Sequence, residues 1–151
     1  MSFATINVPS SYGWVLLAAG VGPFVTSSIM GSKVMGARAK YNIWYPNLYA
    51  VPGQHDHADE FNRIQRGHQN FLENEPTFAV MTLIGGLKHP IACAIGAVLF
   101  CVGSILYQTG YADSSKDVKV ARHAKGGPIK YIGLLTSLIS ACKFAYDVIT
   151  A

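Results

Sequence analysis

The stretch Phe61-Asn-Arg-Ile-Gln-Arg-Gly-His-Gln-Asn-Phe-Leu-Glu-Asn-Glu-Pro76 is polar, yet it leads straight into an apolar run too short to cross a membrane alone. That run, Pro76 to Leu87, has twelve residues. At 1.5 Å per residue it covers about 18 Å, against roughly 30 Å of hydrocarbon in a bilayer. A helix starting near Arg66 reaches about 33 Å, but then Arg66, Asn70, Glu73 and Glu75 enter the membrane zone. Pro90 follows Leu87 almost at once and opens a longer apolar stretch, so the two form a tight hairpin in which the second span cannot be omitted. The sequence predicts a helix over about 66–87 that carries charge into the membrane.

Working outward, three other stretches are long enough to span. One covers about 12–35, uncharged before Lys33, with Pro23 predicted to kink it; one covers 90–111, uncharged until Asp113; and one covers 128–149, where Lys143 and Asp147 fall near an interface. Half of the 151 residues are hydrophobic and only 13% are charged, about half the usual share. The expectation is an all-α integral membrane protein, a four-helix bundle forming one domain over residues 1–151. No basic residue precedes the first apolar stretch, so it reads as a retained helix and not a cleaved leader.

The net charge of +4 marks orientation, not nucleic acid binding. Ten of the twelve Lys and Arg residues lie in two blocks, Lys33 to Arg66 and Lys116 to Lys130. By the positive-inside rule the loops between spans one and two and between spans three and four are cytosolic. Cys93, Cys101 and Cys142 have no metal-site or disulfide spacing and read as small hydrophobes. His55, His57 and His68 lack the spacing of a helical metal site, so no metal is expected. No Gly-rich phosphate loop and no nucleophile elbow is present.

At about 100° per residue, Arg63, Arg66, Asn70, Glu73 and Thr77 share one narrow stripe of the second helix, away from Ile64, Phe71 and Phe78. Such a stripe either pairs with itself, Arg66 with Glu73 or Asn70, to cement helices, or it serves function, the default for ionisable groups in a membrane. Ser104, Tyr107 and Tyr111 share one face at the cytosolic end of the third helix. Tyrosines at that level are commonly interface anchors. Here they meet the stripe, Arg38 and the cluster Lys116, Lys119, Arg122 and Lys125 at one membrane level, which predicts an anion pocket open to cytosol above and lipid beside.

With these residues in place, the chain resembles the MAPEG family, the membrane-associated proteins of eicosanoid and glutathione metabolism. The Phe61–Pro76 segment is the specific signature. Supporting it are Ala37-Arg38-Ala39-Lys40-Tyr41, Tyr45-Pro46, Gly85-Gly86, His89-Pro90 and the Leu106-Tyr107-Gln-Thr-Gly-Tyr111 end of the third span. The resemblance implies a homotrimer that binds glutathione between neighbouring subunits and takes lipophilic substrates from the bilayer lipids. It implies Arg66, Asn70, Glu73, Tyr107 and Tyr111 as glutathione ligands, with Arg38 near the carboxylates. Two positions depart from the pattern: Ala39 stands where the family has a second arginine, and Ser104 where an arginine is common. The loop before the last span does not align, so the catalytic, thiolate-stabilising base is assigned to Arg122, with Lys119, Lys125 and Arg38 open. Endoplasmic reticulum follows from the resemblance, with the outer mitochondrial membrane as the other location.

The residue types suit that chemistry in their own right. A thiol with a pKa near 8.5 needs a shift of about 1.5 units, or roughly 2 kcal/mol, to be half ionised at pH 7. One cation about 4 Å away at an effective dielectric of 20 is worth about 4 kcal/mol. The expected activity is glutathione transfer to lipophilic electrophiles or glutathione-dependent reduction of lipid hydroperoxides, including a leukotriene C4 synthase-like conjugation. Two other classes stay open: a non-catalytic lipid-binding member of the lipoxygenase-activating type, and a structural tetraspan, which leaves the short second span unexplained.

Overall fold

The computed structural model describes residues 8–150, which are helical and loop without any strand. Four long helices carry it: α1, Tyr12–Tyr41; α2, Ala58–Gly86; α3, Pro90–Tyr111; and α4, Ile129–Ile149. α2 and α3 form the centre, each in contact with every other long helix, while α1 and α4 do not touch. Three of the four, α1, α3 and α4, are long and apolar enough to cross a membrane.

Two helices differ from the expected bounds. α1 continues past Met35 through Arg38 and Lys40 and stops at Asn42, whose left-handed φ of 56° closes it. Charge ends the apolar span, but it does not end a helix of good formers. α2 starts at Ala58, not near Arg66, and so takes in the polar residues from Asp59 to Gln65 as well. Asp59 and Glu60 sit in its first turn, where carboxylates favour the helix N-terminus. Its 29 residues give about 43 Å, so length is no obstacle to spanning even though its hydropathy is low.

Pro23 is accommodated by a π-helical turn over Leu17–Val21 rather than by a break. The ring removes one backbone donor and crowds the preceding turn, and widening that turn relieves both. The core between the helices stacks Phe71 and Phe78 of α2 against Phe100 of α3, at centroid separations of 5.6 and 3.9 Å. Thr82 and Ser137 hydroxyls bond across α2 and α4 at 2.8 Å, and the Tyr12 hydroxyl donates to the Leu83 carbonyl at 3.0 Å. At the end away from the polar stripe, Lys88 Nζ lies 2.7 Å from the Asp147 carboxylate, which Lys143 also meets, pinning the hairpin to the end of α4.

Candidate functional site

The site is set by close helix contacts at the end of the bundle away from the α2–α3 hairpin. Gly67 lets α2 press on α3: a Cβ there would stand 2.7 Å from Gln108 Cγ. Gln108 is fully buried and donates through Nε2 to the carbonyls of Met30 at 3.1 Å and Ile64 at 3.2 Å, so one amide ties α1, α2 and α3 together. Gly103 does the same between α3 and α4, where a Cβ would lie 2.8 Å from Lys130 Cα. These approaches fix the register of the polar side chains on α2, α3 and α4.

Five of the expected residues, Arg66, Asn70, Glu73, Tyr107 and Tyr111, fall into two adjoining sets of contacts. Arg66 Nη1 donates to Glu73 Oε1 at 2.6 Å, with the two side chains 44% and 43% exposed. Asn70, one turn from each, accepts at Oδ1 from Lys130 Nζ. Lys130 Nζ sits 3.9 Å from the centroid of the Tyr107 ring, which stacks on Tyr111 at 5.7 Å. Arg66 and Tyr111 also line a cavity of about 240 Å³ together with Tyr49, Asp59, Asn62, Arg63 and Val118.

Other residues of the stripe and its surroundings have different roles. Arg63 bonds Asp59 through Nε at 2.7 Å and the carbonyls of Asp113 and Lys116 through Nη1 at 3.2 and 2.9 Å, so it fastens the loop after α3 to α2. Arg38 is only 2% exposed and is spent within its own loop: its guanidinium donates to the carbonyls of Ile43, Asn47 and Leu48 and lies over the Tyr45 and Phe61 rings. It does not face the Arg66 group. Ser104 is buried and donates to its own helix at Phe100 O, 2.7 Å away.

The loop before α4 holds Arg122 at the end of a single helical turn, Val118–Ala121, capped by Asp117, whose carboxylate accepts from the Lys119 amide at 2.8 Å. Arg122 is the loop base whose charge reaches Tyr107, and His123 meets the same ring edge-on at 6.4 Å. The side chains of Lys119 and Lys125 are exposed and make no bond to the stripe among the described residues. Just before this turn, the Ser115 hydroxyl donates to Asp113 at 2.5 Å and holds its carboxyl below the usual range.

Sequence reasoning passed over Lys130 and Tyr49. Lys130 closes the second basic block of the sequence, yet it is 2% exposed. Its signal was present in α4, where Lys130, Gly133, Ser137 and Ser140 recur on one buried face. A lysine in line with small inward residues points at the neighbouring helices, not at water. Tyr49 lies in a loop with no periodicity, and nothing in the sequence marks it.

The chain matches the MAPEG family over residues 15–141 and belongs to that family. Its membership includes glutathione-dependent transferases and peroxidases as well as lipid-mediator proteins, some of them non-catalytic. Membership and the three apolar helices together make this a membrane protein.

Proposed function

We propose that the chain is a membrane-bound glutathione transferase and glutathione-dependent peroxidase, with Arg66, Asn70, Glu73, Tyr107 and Tyr111 as its glutathione-binding residues. The observation that carries this reading is the Arg66–Glu73 pair lying on the same helix face as Asn70, which meets Lys130 and through it Tyr107: a mixed-charge site with its outer pair nearly half exposed. Glutathione offers what such a site would bind: two carboxylates for arginine, one ammonium for Glu73, the one acid of the stripe, and a thiol. The residues resemble those of the microsomal glutathione S-transferase 3 type, for which endoplasmic reticulum is the expected membrane.

The site works best as a shared one. A single subunit offers about 240 Å³, below the 300–1,000 Å³ usual for ligand pockets. An exposed Arg66–Glu73 pair facing lipid would be costly, whereas a neighbouring subunit in a homotrimer of four-span bundles would cover it. The thiolate then attacks an electrophilic carbon, forming a C–S bond while the departing group takes the electron pair. With a hydroperoxide it attacks the O–O bond, the alkoxide takes a proton to leave as alcohol, and a second glutathione reduces the sulfenic product to disulfide and water.

One further observation favours the lipid-binding alternative. An apolar groove of about 610 Å³ between α1 and α3, lined by Trp14, Leu17, Ile91, Ile95 and Val98 among others, would suit an acyl chain without any chemistry. Purified protein with glutathione, assayed against a lipid hydroperoxide and a conjugation substrate, separates the two. Turnover of either supports the enzyme. Glutathione binding absent together with both activities would leave the lipid-binding reading in its place.

A further inference from the structure

Lys130 is a buried ammonium with no carboxylate within 4.0 Å among the described residues. Its neighbours are neutral: Asn70 Oδ1, the face of Tyr107 at 3.9 Å and that of Tyr131 at 5.0 Å. The acid whose field reaches it, Glu73, is already held by Arg66 at 2.6 Å. It also sits in the first turn of α4, the end of a helix that disfavours a cation. Buried charge without a counter-charge is expensive, so a cation kept at this point calls for an anion supplied from outside the chain.

We propose that Lys130 is the positioning residue that supplies positive charge to the glutathione sulfur, acting through Asn70 and Tyr107. By accepting from Lys130, Asn70 Oδ1 is turned inward, which leaves Asn70 Nδ2 outward as a donor. The ammonium over the Tyr107 ring strengthens the phenol as a donor toward the same point. The thiolate is the fitting anion because it is large and weakly hydrated and loses least on entering an aromatic-lined, water-poor corner. The carboxylates keep to Arg66, which is exposed. This assignment rests on the glutathione reading and replaces Arg122 as the source of charge at the sulfur. The other ionisable groups around the corner are Glu73 and Arg66 on α2, Tyr107 and Tyr111 on α3, Tyr131 on α4, and Arg122 and His123 on the loop.

The test uses full-length protein in mild detergent, with glutathione and S-methylglutathione, which lacks an ionisable thiol. Lys130→Met should bind S-methylglutathione within twofold of wild type but show at least tenfold less thiolate absorbance with glutathione at neutral pH. Lys130→Arg should recover most of the signal. Lys130→Gln, which keeps a donor for Asn70 Oδ1 without the charge, should lower the signal in the same way and covers the case in which Lys130→Met does not fold. Undiminished thiolate absorbance in the folded Lys130→Met or Lys130→Gln protein overturns the assignment, as does an equal loss of S-methylglutathione binding. Wild type that binds neither ligand overturns the glutathione reading itself, and the assignment with it.

Discussion

Replacing Arg66 with alanine should weaken glutathione binding about tenfold and leave turnover nearly unchanged. A hydrogen bond to a charged group is worth about 1.5–3 kcal/mol. Arg66 belongs at the low end, because it is already bonded to Glu73 at 2.6 Å and is 44% exposed, so a ligand carboxylate shares the guanidinium with an existing partner. About 1.5 kcal/mol corresponds to roughly a tenfold change in Kd. Because the carboxylate is charged in ground state and transition state alike, KM should rise while kcat holds. Arg66→Lys should fall between, keeping the charge but losing the planar fork. Calorimetric titration of glutathione into detergent-solubilised protein measures the effect, with steady-state kinetics as the second arm. An Arg66→Ala protein that binds glutathione within twofold of wild type would refute the reasoning, and would reassign the Arg66–Glu73 pair to holding subunits together.

Three other outcomes are expected. Arg122→Ala, Lys119→Ala and Lys125→Ala should each keep at least half of the thiolate absorbance if Lys130 is the cation; loss in Arg122→Ala alone would restore the loop arginine as the thiolate partner. Single cysteines at Gln54 and Ser115, in a chain whose exposed Cys142 has been replaced, should label from the same side of sealed vesicles, since the basic blocks flank both loops, and labelling from opposite sides rejects the four-span arrangement. Native mass spectrometry should find a trimer carrying glutathione, and a monomer with glutathione still bound would exclude a shared site.

The sequence made parts of this architecture legible because they depend on length and periodicity. The apolar stretch of α3 is bounded by Pro90, which starts a helix well, and by the polar loop that begins near Asp113, so its helix needs no tertiary information to be drawn. Arg66, Asn70 and Glu73 were legible as a stripe for the same reason. Bounds set by charge in the first turn were not: α2 runs back to Ala58, with Asp59 and Glu60 at a helix start that favours carboxylates, whereas hydropathy sets no boundary there. Arg38 and Lys130 differ in a way that neither length nor periodicity carries. Each carries a charge beside an apolar span, and only packing decides that Arg38 turns to the Ile43–Leu48 carbonyls while Lys130 turns into the helices.

In the proposed four-span arrangement the polar α2 is tolerable because of where it stands. α1, α3 and α4 each pack on it, so Gln65, Phe71, Phe78 and Thr82 are buried within a single subunit. Three helices cannot surround a fourth completely, and the face they leave open contains Arg66, Glu73 and Thr77. An apolar residue on that face would meet lipid at no cost, so charge there has to be balanced by something else. The Arg66–Glu73 contact balances the two charges against each other but does not cover them, as their exposure shows. In the proposed trimer a neighbouring subunit would cover them, and a neighbour that closed the face would also enclose the Asn70, Lys130 and Tyr107 corner. On this argument subunit association and glutathione binding are coupled: ligand should stabilise the trimer against dissociation, and detergent that separates subunits should abolish binding.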